Sequence, residues 1–319
     1  MSEITMKYRQ LGPSGLTVSV VGLGCNSFGV TLPTERVADV VHAALDAGIT
    51  FFDVSDTYGS TAGESEELLG KALGSRRADV VVATKFGMDT RGLNGPDWGV
   101  RGSRRYIRKA VEGSLRRLGT DHIDLYQMHR PDPHTPIAET LAALHELVVE
   151  GKVRYLGSSN FAGWQIIDAD WTAHTAGGTP FVSAQNEYNL LNRSLEAEGV
   201  DAIDHIGAGL LPFFPLASGL LTGKYTRGRE APEGSRLTRR PERLANADFD
   251  MIEALQDFAG ERGISLLQVA IGWLAAQPSV ASVISGASRP EQVRSNAAAL
   301  WEPGPTDLVV LDEITAGGH

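Results

Sequence analysis

The chain has 319 residues, a formal net charge of −10 and a sequence pI near 5.3. Its 42% of hydrophobic and 21% of charged residues are ordinary for a globular protein and argue against long disordered tracts. The acidic balance excludes the electrostatic footprint of a nucleic-acid-binding protein. Cys25 is the single cysteine, so no intrachain disulfide can form, and the sequence shows neither an N-terminal signal core nor a membrane-spanning apolar run. We therefore expect a cytoplasmic protein without nucleic-acid or membrane partners.

Short β-branched runs alternate with longer amphipathic stretches along the chain. The pattern predicts eight strands, at 20–24, 49–53, 80–85, 123–128, 153–157, 181–185, 210–214 and 280–284. It predicts helices between and after them, at 34–47, 64–73, 103–118, 137–150, 164–174, 195–206, 248–262, 266–276 and 290–300. No change of composition marks a linker, so we expect one domain over 1–319.

Eight strand–helix units in a chain of this length match the size and rhythm of a (β/α)8 barrel. An open, doubly wound sheet is the alternative, but its first turn normally reads G-x-G-x-x-G. Here Gly22-Leu23-Gly24-Cys25-Asn26-Ser27 lacks the third glycine. Ahead of the first unit, two alternating runs flank Pro13-Ser14-Gly15 and predict a β-hairpin that could plug one end of the barrel. A long, arginine-rich loop at 222–243 follows the seventh strand.

Four titratable residues follow three consecutive predicted strands, where barrel side chains converge on one pocket. Asp53 ends the second strand, and Tyr58 comes five residues later. Lys85 ends the third strand, and His129 follows the fourth. Singly, each has a structural explanation: a turn cap, an exposed aromatic, a lysine reaching solvent or a loop histidine. Together they predict an active site.

The chemistry of this set suits the reduction of a carbonyl group. A tyrosine hydroxyl titrates near pH 10, and an adjacent ammonium such as Lys85 lowers that pKa by favouring the phenolate. Asp53 would keep Lys85 charged and fix its direction. A neutral His129 could hold the substrate oxygen by a hydrogen bond. The group would then protonate an oxygen that becomes negative as hydride reaches its carbon.

The sequence resembles the aldo-keto reductase family over nearly its whole length. Seven segments carry the resemblance, in the family's order: GITFFDVSDTYG, VVATKFG, IDLYQMHRPDP, YLGSSNF, FVSAQNEYN, PLASGLLTGKY and SGASRPEQVRSN. The resemblance implies a (β/α)8 barrel closed by an N-terminal hairpin. It also implies reversible, NADPH-dependent reduction of a small aldehyde or ketone, with NADH the less favoured cofactor. Its catalytic tetrad would be Asp53, Tyr58, Lys85 and His129, with Tyr58 as general acid.

The same resemblance implies a set of cofactor-binding residues and no metal site. Near the nicotinamide it places Gly24, Cys25, Asn26, Asp53, Ser159, Asn160, Gln185 and the stacking residue Phe213. Around the phosphates and adenosine it places Phe214, Leu216, Ser218, Leu220, Thr222, Lys224, Arg236, Gly286, Ala287, Ser288, Arg289, Gln292 and Asn296. Phe213 departs from the family's usual Tyr or Trp but keeps a stacking face. A phosphate at a helix start beside Arg289 is sensible on physical grounds as well.

Two other functions compete with a reductase. Regulatory β-subunits of potassium channels resemble several of the same motifs, but they typically lack the histidine found here as His129. A metal-dependent barrel hydrolase is the weaker alternative, because the close pair His129 and His134 straddles two prolines and no carboxylate cluster accompanies it.

Phe28 and Trp98, in loops after strands, are candidates for the substrate pocket wall. The glycines of the 222–243 loop would suit a flap over bound cofactor.

Overall fold

A computed structural model describes residues 6–316. Two short antiparallel strands come first, β1 (Tyr8–Gln10) and β2 (Thr17–Ser19). The parallel strands that follow are β3 (Val21–Gly24), β4 (Phe51–Asp53), β5 (Val81–Phe86), β6 (Ile123–Met128), β7 (Val153–Ser159), β8 (Phe181–Gln185), β9 (Gly209–Leu210) and β10 (Val283–Gly286).

Helices follow the strands on the outside of the sheet. The first six are α1 (Val37–Asp46), α2 (Glu64–Leu73), α3 (Arg104–Leu118), α4 (Ile137–Val149), α5 (Gly163–Thr175) and α6 (Gly199–Ile206). The others are α7 (Pro241–Ala245), α8 (Phe249–Glu261), α9 (Leu266–Ala276), α10 (Pro290–Ala297) and α11 (Pro305–Thr315). Short 3-10 turns occupy Thr34–Arg36, Gly74–Asp79, Ser194–Ala197, Ala217–Thr222 and Arg236–Arg239.

The eight parallel strands form a barrel. Their order is β10-β3-β4-β5-β6-β7-β8-β9, so each strand lies beside its predecessor in sequence and the last lies beside the first. Backbone hydrogen bonds join the remaining edges, from Leu210 N to Ser279 O at 2.7 Å and from Ala281 N to Leu210 O at 2.9 Å. The predicted (β/α)8 class is therefore confirmed, and the open-sheet alternative is wrong.

The hairpin plugs the N-terminal end of the barrel. Leu11 and Val18 are fully buried in one cluster with the inward-facing Phe51, Ala83 and Leu125. Arg9 fixes the hairpin to α9 and to the segment that follows it, because its guanidinium donates to one backbone carbonyl of each at 2.7 Å. Both the hairpin and its position agree with the sequence analysis.

Several element boundaries differ from the predictions. The seventh barrel strand is only Gly209–Leu210, not 210–214, because Pro212 has no N–H to donate to a ladder. The last strand starts at Val283 rather than at 280. The loop at 222–243 contains the turn Arg236–Arg239 and the start of α7. The closing helix α11 was not predicted.

Gly12 provides a test of how tightly the plug fits. Its φ is +56°, and a Cβ there would lie 2.3 Å from Val182 O and 2.7 Å from Gly209 N. We expect Gly12→Ala to lower the free energy of unfolding by about 2–5 kcal/mol, since backbone strain and overpacking add. Gly119→Ala is the control, because Gly119 also has a positive φ but a Cβ there meets nothing within 4 Å. Urea unfolding of both variants checks this, and equal losses would contradict it.

Candidate active site

Strand periodicity explains why the candidate residues share one space. Phe51 and Ala83 face the inner core of the barrel. Successive side chains of a strand alternate between its two faces, so Asp53 and Lys85, two residues further on, also point inward. Both lie toward the carboxyl ends of their strands, β4 and β5, at the end opposite the hairpin plug. The two side chains thus meet above the apolar filling of the barrel.

Lys85 is the centre of the site. Its side chain is 0% exposed, and its Nζ donates to Asp53 Oδ2 at 2.5 Å, to Val54 O at 3.0 Å and to Tyr58 Oη at 3.4 Å. Burial acts to lower the pKa of Lys85, but the Asp53 carboxylate and the Tyr58 hydroxyl reverse this and raise it above its ordinary value. The side chain is therefore a buried ammonium held against a phenol.

The Tyr58 hydroxyl differs from the expectation in its ionisation. Burial raises the pKa of Tyr58 above its ordinary value and outweighs the charge of Lys85, which acts in the opposite direction. The effect of Lys85 has the predicted sign, but the predicted net lowering of the Tyr58 pKa is wrong. At neutral pH the phenol therefore keeps its proton, as a proton donor must.

His129 lies beside the tyrosine. Its ring centre is 5.9 Å from that of Tyr58, with the two planes nearly perpendicular. Burial, together with the charges of Lys85 and Arg130, lowers the pKa of His129 well below its ordinary value. The imidazole is thus neutral at neutral pH. The structure brings all four predicted residues of the tetrad together.

Two amides that support the carboxylate extend the site beyond the tetrad. Gln127 Nε2 and Gln185 Nε2 donate to Asp53 Oδ1 at 3.1 and 2.9 Å, so Lys85 has the other oxygen to itself. Gln185 was predicted only as a cofactor residue, and Gln127 was not predicted. The signal for Gln127 was available, because it is a polar residue in an apolar strand and lies two positions after the inward-facing Leu125.

The predicted nicotinamide residues lie on neighbouring strand ends beside the tetrad. Asn160 follows β7 with a positive φ of +59°, and its Nδ2 donates to His129 O and to Ser159 Oγ, each at 3.0 Å. Its backbone N–H donates to Gln185 O at 3.0 Å. Phe213 follows β9 and is half-buried, and it packs edge-on against the next ring at 5.2 Å. Cys25 is buried, and its backbone N–H donates to the carbonyl of Asp53 at 2.8 Å.

The first and last strands form a second part of this rim. Gly24 and Gly286 are paired in register, and the Oδ1 of Asn26 lies 3.6 Å from the place a Cβ on Gly286 would take. Ala287 accepts a hydrogen bond at 2.9 Å from the hydroxyl of the residue that follows Asn26. Two predicted regions about 260 positions apart therefore meet here.

The start of α10 belongs to the same part of the rim. Ser288 donates from its N–H and its hydroxyl to Gln292 Oε1, at 2.8 and 3.1 Å. Arg289 is exposed at the N-cap, and its guanidinium has no hydrogen bond or ion pair with any residue from 6 to 316. Asn296 is buried on the same helix.

The segment after β9 is strained where the phosphate-binding residues were predicted. Phe214, Ala217 and Ser218 all have positive φ, at +53°, +45° and +61°. Non-glycine residues hold such angles at a cost of about 1–3 kcal/mol each, and these angles cluster at ligand sites. Leu216, Leu220, Thr222 and Lys224 lie in or beside this turn.

Two arginines face this turn. The Arg236 guanidinium lies 5.0 Å above the ring of Phe214, and Arg243 Nη1 donates to Ser218 Oγ at 3.1 Å. Partial desolvation, followed by the charges of Arg240 and Arg243, lowers the pKa of Arg236. Arg243 is a site candidate that the sequence analysis placed only within the basic loop. The turn and its arginines form a positively charged surface.

The two pocket-wall candidates behave differently. Phe28 is fully buried in the core between barrel and helices, so it offers no surface to a substrate and that prediction is wrong. Trp98 is 69% exposed, has a φ of +50°, and lies against the Arg105 guanidinium at 4.9 Å. Its place on the loop after β5 leaves the prediction open.

Two features are absent from residues 6–316. No group of three His, Cys, Asp or Glu side chains in that range is arranged to hold a metal ion. Within the same range, no helix has both the length and the apolar character needed to cross a membrane.

The fold and the site define a parallel barrel with a buried cluster of Asp53, Tyr58, Lys85 and His129 and a basic rim at the carboxyl ends of its strands. The chain belongs to the aldo/keto reductase family, whose profile matches residues 20–309. Enzymes of this family bind small carbonyl substrates and generally use nicotinamide cofactors. Both the family and its reductase members support an oxidoreductase.

Three relatives cover most of the chain. A probable voltage-gated potassium channel subunit beta of Oryza sativa subsp. japonica is 37% identical, over 98% of this chain and 96% of its own length. The L-glyceraldehyde 3-phosphate reductase of Escherichia coli O157:H7 is 36% identical, over 98% and 94%. An uncharacterized oxidoreductase of Bacillus subtilis strain 168 is 38% identical, over 91% and 89%. The relatives thus include both functions weighed from the sequence.

Proposed function

We propose that this protein reduces the carbonyl group of an aldehyde or ketone, with Tyr58 as general acid and NADPH as the preferred hydride donor. The observation that carries the proposal is the buried Lys85 ammonium, which contacts both the Asp53 carboxylate and the Tyr58 hydroxyl. A neutral His129 beside them can donate a hydrogen bond without holding a competing charge. We also propose that the whole chain, 1–319, is one domain built around this site.

The residues on the rim fit a nicotinamide dinucleotide. The strained turn at Phe214–Ser218 and its arginines suit a pyrophosphate, because both backbone N–H groups and guanidinium groups bind phosphate oxygens. Gly24 and Gly286 are paired in register on this rim, and two residues without side chains allow a ligand to approach the backbone closely. When bound, the cofactor would supply the hydride.

The protein's own side chains donate the proton and stabilise the charge that remains. As negative charge develops on the carbonyl oxygen, Tyr58 donates its hydroxyl proton to it. The phenolate left behind is stabilised by the Lys85 ammonium, 3.4 Å away. Asp53 and the two glutamines that donate to it fix the position of Lys85. His129 directs the carbonyl oxygen toward the phenol.

The proposal is tested by incubating the purified chain with NADPH and a panel of carbonyl compounds. The panel includes 4-nitrobenzaldehyde and, because a relative is named for it, L-glyceraldehyde 3-phosphate. We expect NADPH oxidation that depends on the carbonyl compound and yields the matching alcohol. Binding of NADPH without turnover of any compound would contradict the proposal.

Arg289 is expected to favour NADPH over NADH. Its guanidinium is exposed at the start of α10 and has no partner among residues 6–316, and the extra phosphate of NADPH would meet it there. We expect Arg289→Ala to weaken NADPH binding by about tenfold and NADH binding much less, the value of one charge-assisted contact. Arg294→Ala, an exposed arginine on the same helix, is the matched control. Fluorescence titration with both cofactors checks this, and equal weakening of both would remove the assigned role.

A non-catalytic, nucleotide-sensing subunit is the second candidate function. The 37% identity to a probable channel subunit favours it. Such a protein would bind NADPH with little or no carbonyl reduction and would copurify with a membrane partner. We favour the reductase because His129 is present beside Tyr58.

A further inference from the structure

Ser55 is a buried hydroxyl that the mechanism above does not use. It lies between Asp53 and Tyr58 in sequence and is fully buried. Its Oγ is 3.1 Å from the Nδ1 atom of His129. The other ring nitrogen, Nε2, has no hydrogen bond to any residue in the described range, 6–316, and is the one left for a substrate. Ser55 therefore contacts the ring nitrogen of His129 that is not the one left for a substrate.

The hydroxyl of Ser55 has one hydrogen and three possible acceptors for it. His129 Nδ1 lies at 3.1 Å, Thr57 Oγ1 at 3.0 Å and Asp56 Oδ1 at 3.4 Å. The Thr57 N–H donates to Ser55 Oγ at 3.2 Å and takes one of its two acceptor positions. The direction of the bond to His129 depends on which acceptor receives the serine hydrogen.

Asp56 is a poor competitor for that hydrogen. Its distance is the longest of the three, and its other oxygen, Oδ2, already accepts from Asn94 Nδ2 at 3.0 Å. Burial and the nearby Glu66 raise the pKa of Asp56 well above its ordinary value, which favours a neutral carboxyl group. A neutral carboxyl group accepts hydrogen bonds more weakly than a carboxylate.

Thr57 also does not require the hydrogen of Ser55 to satisfy its own hydroxyl. Its hydroxyl can act as donor toward Ser55, and its side chain is only partly buried, so water can serve it as well. His129 Nδ1 has no other hydrogen-bond partner within residues 6–316. If Ser55 did not donate to it, a buried nitrogen lone pair would be left unsatisfied or the ring would have to protonate there.

We propose that Ser55 donates its hydrogen to Nδ1 and thereby holds neutral His129 as the tautomer protonated at Nε2. Ser55 is then a positioning residue, which acts on the reaction through His129. The inference rests on the proposed reductase function, because only a protonated Nε2 can donate to a carbonyl oxygen. With the other tautomer, a nitrogen lone pair would face the substrate oxygen and repel it.

The test is Ser55→Ala, read out by nitrogen NMR of the histidine-labelled protein without substrate. His129 is one of eight histidines, so its signals are assigned by their loss in His129→Gln. We expect the wild type to carry the proton on Nε2 and Ser55→Ala to show a mixture or the Nδ1 tautomer. We also expect kcat for carbonyl reduction to fall by about five- to tenfold in Ser55→Ala, the value of one neutral hydrogen bond.

Two further variants separate this role from a general effect on packing. Ser55→Thr keeps a hydroxyl and is expected to restore the Nε2 tautomer. Ser282→Ala removes another fully buried hydroxyl, one with no partner among the described residues, and is expected to change neither the tautomer nor kcat. A wild type protonated at Nδ1, or a Ser55→Ala protein with an unchanged tautomer, would overturn the proposal.

The role of Ser55 and the reductase function can be rejected separately. The NMR measurement does not depend on turnover, so an Nε2 tautomer set by Ser55 in a protein that reduces no carbonyl compound would reject only the reductase function. A protein that reduces carbonyl compounds but holds its His129 proton at Nδ1 would reject only the role of Ser55.

Discussion

Tyr58→Phe is expected to lower kcat for carbonyl reduction by about 10²- to 10⁴-fold, the usual contribution of a general acid. Phenylalanine keeps the ring that packs against His129 but has no proton to transfer. The Lys85 ammonium remains paired with Asp53, so the fold loses only one contact of 3.4 Å. Nicotinamide cofactor binding is expected to persist, because the residues proposed for it lie on the surrounding rim.

Tyr126→Phe is the matched control for this prediction. Tyr126 lies on β6, is also buried, and its hydroxyl has no hydrogen-bond partner among the described residues. Removing that hydroxyl is expected to leave turnover unchanged. Steady-state reduction of 4-nitrobenzaldehyde and fluorescence titration with NADPH measure both variants. Undiminished turnover in Tyr58→Phe would show that another group supplies the proton.

The raised pKa of Tyr58 predicts how the rate of carbonyl reduction depends on pH if Tyr58 is the general acid. Because burial raises the pKa of Tyr58, the phenol is protonated through the neutral range. Reduction needs that proton, so the rate is expected to hold through neutral pH and to be lost only as the pH rises through the raised pKa. The residual activity of Tyr58→Phe is expected to lack this alkaline loss.

Much of the fold could be predicted because each element carries its own local signal. Glu64–Leu73, Ile123–Met128 and Leu266–Ala276 match the predicted ranges at both ends, since their apolar periodicity stops at turn or cap residues. The strand after α6 was overestimated, because its apolar run continues past Leu210 while Pro212 has no N–H of its own to donate to the ladder. An apolar run shows which segment is buried but not which of its N–H groups is paired.

Only the part of the site that residue type and strand position indicate could be predicted from the sequence. Asp53 and Lys85 were found because polar residues at consecutive strand ends of a barrel converge on one pocket. Ser55 was missed because a small hydroxyl in a loop carries no pattern of its own. Gln127 was missed although its place in β6, two positions after the inward-facing leucine, indicated that its side chain also faces inward. The net pKa direction of Tyr58 was also missed, since it depends on how deeply the assembled barrel buries the phenol.

Lys85→Met is expected to damage both stability and activity. Methionine is of similar length but leaves the Asp53 carboxylate buried without its cation. Breaking a buried ion pair from one side typically costs about 3–5 kcal/mol, and the remaining amide donors soften that loss without neutralising the charge. Turnover is expected to fall by at least about 10²-fold, because the Tyr58 phenolate would form beside no positive charge. Urea unfolding and NADPH-dependent aldehyde reduction measure the two effects.

The double variant Asp53→Asn/Lys85→Met separates the two effects. It removes both charges, so most of the lost stability is expected to return, because no uncompensated ion remains in the barrel. Activity is not expected to return, since the ammonium that stabilises the phenolate is still absent. If the double variant were as unstable as Lys85→Met, the loss would come from the shape of the methionine and not from the stranded carboxylate. If either variant kept wild-type turnover, the contact between Lys85 and Tyr58 would have no part in proton transfer.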